Sequence, residues 1–303
     1  MRHRAAPGVV TVFLLSWAVL VGSTSVLAQT GGRYAIDDDW IELPEGMEWN
    51  GSTTWVAPDG KGNVLVFVRA APYFRLFKTD GSFVRAWGEE GQFENAHSVT
   101  FDSEGLIWAT DSANHVVYKY GADGELLLTL GQKGIAGDNT SRDLFNQVNH
   151  VAFGPDGDIY VSDGYGNSRV VQFTKAGEFV RIIGGAEGTA PGQLMVPHGV
   201  AVDSRGRILV NDSDNERISV FGSDGKFVET WPFPSRGGIM VTADDTVYIS
   251  DVNAGVVNIV RDGQLIDSVA IDARAHGLGL DSDGTIYVSD SRGRKVIKIT
   301  RAR

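Results

Sequence analysis

Short segments in which apolar and polar residues alternate recur along the chain, and Gly- and Asp-rich turns separate them. Each clear copy of the repeat ends its second segment on an apolar run followed by Ser, Thr or Asn and then Asp. In all but one of these copies, RILVNDS, the run contains an aromatic residue, as in LIWATDS, DIYVSDG and TIYVSDS. Such alternation is typical of a half-buried β-strand, and the turn residues predict tight connections. Five clear copies and a weaker first copy begin at Trp55, His97, Asn149, His198, Gly237 and His276. The clear copies lie 39 to 52 residues apart, the length of four short strands with their turns.

Six copies of a four-stranded unit predict an all-β fold, a six-bladed β-propeller. The repeat continues without a break in composition, so we expect one propeller domain over residues 29–303. The last copy shows only three strands before Arg303. We therefore expect the N-terminal segment around Trp40–Leu43 to supply the fourth strand and to close the ring, which removes the open sheet edges.

The first 28 residues have the features of a cleavable secretory signal peptide. Arg2 and Arg4 precede an apolar run from Val9 to Val21, and small residues lead to Ala28. The run is shorter than the roughly 20 residues that span a bilayer. We expect cleavage after Ala28, a periplasmic or secreted location in a bacterium, and no membrane association of the mature chain.

The chain is acidic and contains no cysteine. It has 27 Lys and Arg against 38 Asp and Glu, a formal net charge of −11. An acidic surface argues against nucleic acid as a partner, because phosphate binding requires basic patches. Without disulfides, an exported protein must be stabilised by burial and by ring closure. We expect a monomer that acts on a small-molecule or peptide substrate.

Three histidines occupy one position of the repeat. His97, His198 and His276 open the second, fourth and sixth copies, which lie a third of a turn apart in a six-fold ring. Side chains at one depth would then converge at a mouth of the central channel. Three neutral imidazoles form a zinc-type ligand set that leaves a coordination position open. His115 and His150 fall outside this pattern, and we interpret them as surface or structural residues, with His150 pointing away from the axis.

Two other residues depart from the repeat. The Asp that ends the second strand in five copies is expected to accept hydrogen bonds from turn N–H groups, but the first copy has Arg69 in that position. Arg69 marks either a first blade that has drifted or a functional residue. Tyr165 lies on a Gly-rich turn just after Asp163. It is either an exposed turn aromatic or a phenol that a nearby metal converts into a base by lowering its pKa.

The repeats resemble NHL repeats, and several segments are similar to the peptidyl-α-hydroxyglycine α-amidating lyase family: HSVTFDSEGLIWATDSANHVVYKY, VSDGYGNSRVVQF, GQLMVPHGVAVD and AHGLGLDSDGTIYVSD. The resemblance implies a six-bladed propeller with zinc on His97, His198 and His276. It also implies that Tyr165 is a catalytic base and that Arg69 is an active-site and substrate-binding arginine. The implied reaction cleaves the N–C(OH) bond of a peptidyl-α-hydroxyglycine to give a peptide amide and glyoxylate, with zinc as Lewis acid.

Four positions depart from the pattern of that family. A second active-site arginine is replaced by Ser213, and the aspartate associated with a structural calcium ion is replaced by Gly277, so a calcium site would lack a ligand. A disulfide cysteine in the tyrosine turn is Gly166. A methionine is replaced by Arg274, which we interpret as a substrate-binding residue that restores positive charge. The sequence leaves open the physiological substrate and the effect of Ser213 on turnover.

Two other functions fit the same fold. The first is a non-catalytic NHL propeller that binds a protein or peptide partner across its face. The second is a calcium-dependent hydrolase of the lactonase type, which would need carboxylate and amide ligands in the channel. The position that holds the histidines offers only Asn149 for that purpose. Metal content distinguishes the three functions, since the lyase predicts zinc, the lactonase calcium and the binding protein no metal.

Overall fold

Six antiparallel sheets of four strands each form a closed ring in a computed structural model that describes residues 33–302. The innermost strands of neighbouring sheets contact one another around the whole ring, and the last sheet contacts the first. The predicted all-β, six-bladed propeller is confirmed. Blades 1 to 5 run outward from the channel in chain order, because antiparallel neighbours are joined by short turns, and blade 6 takes its outermost strand from the N-terminal segment.

The strands of the first three blades have these bounds: β2 Thr53–Pro58, β3 Asn63–Val68, β4 Phe74–Lys78 and β5 Phe83–Trp87 in blade 1; β6 Ala96–Phe101, β7 Ile107–Asp111, β8 Val116–Tyr120 and β9 Leu126–Leu130 in blade 2; β10 Val148–Phe153, β11 Ile159–Asp163, β12 Arg169–Phe173 and β13 Phe179–Gly184 in blade 3.

The remaining blades have these bounds: β14 Pro197–Val202, β15 Ile208–Asp212, β16 Arg217–Phe221 and β17 Phe227–Trp231 in blade 4; β18 Ile239–Val241, β19 Val247–Asp251, β20 Val256–Arg261 and β21 Gln264–Ala270 in blade 5; β22 Ala275–Leu280, β23 Ile286–Asp290, β24 Lys295–Arg301 and β1 Tyr34–Asp37 in blade 6. A 3₁₀ turn, Ser213–Asn215, follows β15.

The strand that closes the ring lies earlier in the chain than the sequence indicated. β1, Tyr34–Asp37, pairs with β24, whereas the expected segment around Trp40–Leu43 forms no strand. Trp40 is buried between blades 6 and 1, where its Nε1 donates to the carbonyl of Val296 at 2.9 Å. The apolar character of Trp40–Leu43 therefore serves packing between blades. β1 is an exposed outer strand and needs few apolar residues.

Each pair of neighbouring blades shares one cluster of buried apolar side chains, so six clusters surround the channel. The Asp that ends the second strand has the structural role expected of it. Asp111, for example, accepts from the backbone N–H groups of Glu94 and Asn95, just before the first residue of the inner strand β6. Asp212 holds Met195 in the same way in blade 4. These contacts fix the inner strands where they enter the channel.

The first blade aligns with the others one residue earlier than the sequence indicated. Asp59 and Asp102 open the same hairpin turn, and each donates its N–H to the carbonyl four residues later. Thr54, not Trp55, is therefore the counterpart of His97. Val68 occupies the position of the capping Asp, because it pairs with Thr53 as Asp111 pairs with Ala96 in blade 2. Arg69 comes one position later, and the loss of the Asp is what displaced the alignment.

No helix among the described residues is long and apolar enough to cross a membrane. The predicted signal peptide, residues 1–28, lies outside the described residues, and the location outside the cytoplasm stays a prediction.

Ring closure should depend on Trp40. Replacing Trp40 with Ala should lower the free energy of unfolding by about 3–5 kcal/mol, because a large buried ring and its hydrogen bond are lost. Urea denaturation would measure this. Ile36→Ala on the closing strand is the control, since Ile36 is 47 % exposed and should change stability by less than about 0.5 kcal/mol. Equal losses in both variants would contradict the role of Trp40.

Candidate metal centre

The three histidines meet at the centre of the ring although they belong to different blades. Their ring centroids lie 5.0 Å apart for His97 and His198, and 5.1 Å from each of these to His276. Each lies at a β-bulge in the innermost strand of its blade, where the pairing register shifts. A bulge breaks the alternation of side chains and re-aims the residue at that point. The structure thus brings the predicted ligands together.

The ligand atoms are close enough for one ion. The imidazole nitrogens that face the centre all lie within 4.8 Å of one another. A tetrahedral ion with bonds of about 2.1 Å needs its ligand atoms about 3.4 Å apart. Small side-chain rotations are therefore enough for the three imidazoles to bind a common cation.

The next blade sets the orientation of each imidazole. The Nδ1 atom of His97 lies 2.8 Å from the carbonyl oxygen of Asn149, and that of His198 lies 3.1 Å from the carbonyl oxygen of Gly237. His276 Nδ1 lies 2.8 Å from the carbonyl oxygen of Thr54. A carbonyl only accepts hydrogen bonds, so each Nδ1 carries the proton and each Nε2 presents a lone pair to the centre. This is the tautomer that a metal requires.

Burial keeps these ligands neutral. Desolvation lowers the pKa of His97 and His198 well below the usual value, and it lowers that of His276 to about 4. The positive charge of Arg69 acts in the same direction on all three. Neutral imidazole is the form that ligates a metal, so the site is suited to bind a cation at neutral pH without first releasing protons.

Tyr165 lies directly at the imidazoles. Its hydroxyl is 3.0 Å from Nε2 of His97 and 3.1 Å from Nε2 of His198. The Gly-rich turn that carries Tyr165 is fixed to the inner strand of the same blade, where the N–H of Gly164 donates to Oδ1 of Asn149 at 2.9 Å. A side chain at Gly164 would collide with the carbonyl of Pro197, since an added Cβ would lie 2.1 Å from that oxygen. The close approach of the turn to blade 4 therefore explains the glycine beside Tyr165.

The phenol of Tyr165 is exposed at the mouth but crowded by protein. Desolvation raises its pKa, and the charge of Arg69, the side chain of Asn149 and the charge of Arg236 lower it in part. The protein alone thus raises this pKa, contrary to what a base requires. The sequence suggested a lowered pKa for Tyr165, and such a lowering would require a cation bound by the histidines.

Arg69 lies at the same mouth, as expected. It follows β3 of blade 1, and its Nε donates to the carbonyl of Ala96 at 3.2 Å. Its side chain is open to solvent, yet enough protein surrounds it that desolvation lowers its pKa. Arg274 is also exposed near the centre, where its charge lowers the pKa of His276. Ser213 is buried and its hydroxyl contacts Oδ1 of Asn211 at 3.3 Å.

Trp55 and His150 form the floor of the site, and sequence reasoning missed both. The indole of Trp55 is buried in the channel, with its ring 6.1 Å from that of His97, 6.4 Å from His198 and 5.7 Å from His276. His150 stacks on the indole at 4.7 Å and does not point away from the axis as predicted. The prediction assumed strict alternation, which the bulge at Val148–His150 interrupts.

Glycines make room for this floor. An added Cβ on Gly277 would lie 2.5 Å from the Cα of Trp55, so no larger residue fits there. This explains why an aspartate is absent from a position where the resemblance implied one. The available sequence signal was a single repeat position that holds two large residues and four small ones: Trp55, Ser98, His150, Gly199, Gly238 and Gly277.

Comparisons with known proteins assign the family. The sequence profile of the NHL repeat matches residues 145–173 and 194–221. The mouse protein named NHL repeat-containing protein 3 is 31 % identical over 88 % of this chain and 83 % of its own length. The chain belongs to the NHL-repeat family. Other relatives of this NHL propeller carry the names of amidating enzymes.

The match to this chain covers different shares of the length of two of those relatives. Peptidyl-glycine alpha-amidating monooxygenase B of Xenopus laevis is 31 % identical over 86 % of this chain, but the match spans only 36 % of that protein. The probable peptidyl-alpha-hydroxyglycine alpha-amidating lyase of Caenorhabditis elegans is 27 % identical over 69 % of this chain and 65 % of its own length. The NHL propeller thus spans about a third of the monooxygenase.

Solved structures show the fold alone. Virginiamycin B lyase from Staphylococcus aureus matches with a TM-score of 0.64 at 15 % identity, over 88 % of this chain and 99 % of that one. A gluconolactonase from Xanthomonas campestris matches with a TM-score of 0.66 at 14 % identity, over 83 % and 86 %. Propellers with different named activities resemble the NHL propeller equally well, so the chemistry must be argued from the site.

Acid should destabilise the folded protein through His150. Burial lowers the pKa of His150 to about 4 from a usual 6.5, and its Nε2 has no partner among the described residues. Between these values the unfolded chain binds more protons, so stability is full above pH 6.5 and falls as the pH drops toward 4. This group alone should cost about 3 kcal/mol.

Urea denaturation from pH 7.5 to 4.5, with a chelator present, would measure this loss. His150→Gln keeps a donor for the carbonyl of Val200, which Nδ1 of His150 approaches at 3.2 Å, but it cannot take up a proton. The variant should lose less stability on acidification than the wild type. Identical pH profiles would show that His150 does not contribute.

Proposed function

We propose that this NHL propeller is a zinc-dependent lyase. It cleaves the N–C(OH) bond of a peptidyl-α-hydroxyglycine or a related carbinolamide and releases an amide and glyoxylate. The observation that carries the proposal is the position of the Tyr165 hydroxyl, 3.0 and 3.1 Å from the Nε2 atoms of His97 and His198. Any substrate oxygen held at these imidazoles would lie within reach of a phenol that can exchange a proton with it.

Relatives support the same reaction class. Proteins named peptidyl-alpha-hydroxyglycine alpha-amidating lyase in Caenorhabditis elegans and Drosophila melanogaster are 27 % and 25 % identical to this chain. The residues that their resemblance implied as functional, His97, His198, His276, Tyr165 and Arg69, are the ones that lie together at the mouth of the channel. We further propose that the protein acts after export, as the N-terminal sequence suggests.

The donor set fits zinc. Three neutral imidazoles, each with Nδ1 committed to a backbone carbonyl, match the ligand type and tautomer that zinc takes in catalytic sites. Bound there, zinc would supply Lewis acidity toward a substrate hydroxyl. Within the described residues, no other group of three or more His, Cys, Asp or Glu side chains is placed to share a cation. This disfavours the calcium-dependent lactonase, which needs oxygen ligands.

Proton transfer can be followed through this chain's own residues. Tyr165 acts as a phenolate, the form that a cation held by the three histidines would favour. Its oxygen accepts the proton of the substrate hydroxyl, and the electron pair of that O–H bond becomes the second bond of the new carbonyl. The C–N bond then breaks with its electron pair on nitrogen. The nitrogen takes up the proton from Tyr165, which leaves an amide and glyoxylate with nothing oxidised or reduced. Arg69 binds the substrate carboxylate by charge-assisted hydrogen bonds.

The metal can be tested by substitution. Replacing His97, His198 or His276 with Ala should abolish stoichiometric zinc in purified protein, because two imidazoles hold the ion too weakly. Elemental analysis measures the metal, and circular dichroism checks that the ring is folded. His115→Ala, outside the centre, is the control and should retain zinc. A triple His variant with full zinc would refute the site, and wild-type protein without zinc would favour a non-catalytic binding propeller.

The base can be tested separately. Tyr165→Phe should lower the rate of glyoxylate release from an α-hydroxyglycine peptide by about 100-fold or more, as loss of a general base does. Zinc content should be unchanged, which separates this effect from loss of metal. If zinc-loaded wild-type protein releases no glyoxylate from such peptides, the lyase assignment fails.

A further inference from the structure

A second set of side chains alternates with the histidines around the mouth. The histidines come from blades 2, 4 and 6. Between them, Arg69 follows an inner hairpin of blade 1, Tyr165 follows that of blade 3, and Arg236 precedes the first strand of blade 5. Arg69 donates to the carbonyl of Ala96, the residue before His97, and Arg236 precedes Gly237, whose carbonyl accepts from His198. Two arginines from two different blades therefore lie beside two of the three histidines.

The backbone at Arg236 is fixed against the centre. The next residue, Gly237, accepts from Nδ1 of His198 at 3.1 Å through its carbonyl. The preceding residue, Ser235, accepts from Nδ2 of Asn211 at 2.6 Å and donates to the carbonyl of Ser250 at 2.7 Å. Arg236 thus starts one residue from the wall of the metal centre, on a segment held from both sides. Its counterparts in the other blades are buried and uncharged: Thr53, Ala96, Val148, Pro197 and Ala275.

The two guanidinium groups differ in their partners. Arg236 donates to Oδ1 of Asp214 at 2.6 Å, and its side chain is 51 % exposed. Arg69 contacts the carbonyl of Ala96 and forms no ion pair within the described chain. A crowded guanidinium without a carboxylate is stabilised when an anion binds.

We propose that Arg69 and Arg236 together bind the carboxylate of the substrate, one from blade 1 and one from blade 5, and that Asp214 competes with the substrate for Arg236. The proposal rests on the lyase function and adds a second residue, Arg236, that selects substrates with a free carboxylate. A neutral carbinolamide would leave Arg69 without a carboxylate partner and Arg236 on Asp214. Arg236 is thus a specificity residue in the role that the sequence suggested for Arg274.

The test uses the zinc-loaded full chain and two kinds of ligand. Calorimetry measures binding of glyoxylate, and kinetics compare an α-hydroxyglycine peptide with its neutral C-terminal amide. Arg236→Ala should raise the Kd for glyoxylate and the KM for the acid about tenfold, as loss of one charge-assisted hydrogen bond does, with kcat little changed. The KM for the amide should stay the same. Asp214→Asn should lower the Kd for glyoxylate, because Arg236 loses its competing partner.

Arg205→Ala is the matched control. Arg205 is 47 % exposed and also donates to a carboxylate, that of Asp262, at 2.6 Å, but it lies on the turn between β14 and β15, away from the segments that carry the metal centre. This variant should bind glyoxylate like the wild type.

The outcomes separate this proposal from the lyase function. The protein could bind glyoxylate in a way that depends on Arg236 and yet release none from α-hydroxyglycine peptides. This outcome would support the carboxylate site and refute the lyase function. Turnover in which Arg236→Ala affects acid and amide equally, or in which it affects neither, would overturn the carboxylate site alone. Weaker glyoxylate binding in Asp214→Asn would show that Asp214 supports the anion and does not compete with it, which also overturns the proposal.

Discussion

Three hydrogen bonds between neighbouring blades determine the centre of this molecule. Each runs from Nδ1 of one histidine to a carbonyl on or just before the inner strand of the next blade, and the bond from His276 to Thr54 joins the last blade to the first. These bonds hold the ring together at its narrowest point and at the same time select the tautomer that presents Nε2. The same three hydrogen bonds therefore join the blades and prepare the imidazoles to bind a metal. A blade that shifted would break a bond between blades and would also misplace a ligand.

The floor of the site follows from the same inner strands. Because bulges re-aim the residues that open these strands, Trp55 and His150 turn into the channel and stack beneath the imidazoles. Only small residues fit beside them, as the contacts around Gly277 show. The indole separates the centre from the apolar part of the channel lined by Val99, Met240 and Leu278.

Symmetry explains which parts of this structure the sequence could predict. The spacing of the repeat and the histidines in alternate copies indicate the propeller and the convergence, because both depend only on equivalent positions. Features that break the repeat could not be predicted in this way. Val68 replaces the capping Asp and displaced the alignment of Arg69 by one residue, and the bulge at His150 reversed its predicted direction. Arg236 directly precedes the fifth copy, at a position where the other blades have uncharged residues, and its contacts place it at the mouth.

Equivalent positions in different blades can exchange a functional group. Arg69 and Ser213 occupy equivalent positions, each following the second strand of its blade, on opposite sides of the ring. In blade 4 the serine is buried and begins a 3₁₀ turn that presents Asp214 to Arg236 on the next blade. Ser213 stands where the resemblance implied an arginine, and the guanidinium of Arg236, from the segment before β18, lies next to that position. Because all six inner strands begin around one small opening, a functional group can be supplied by one blade or by its neighbour while the ring stays unchanged.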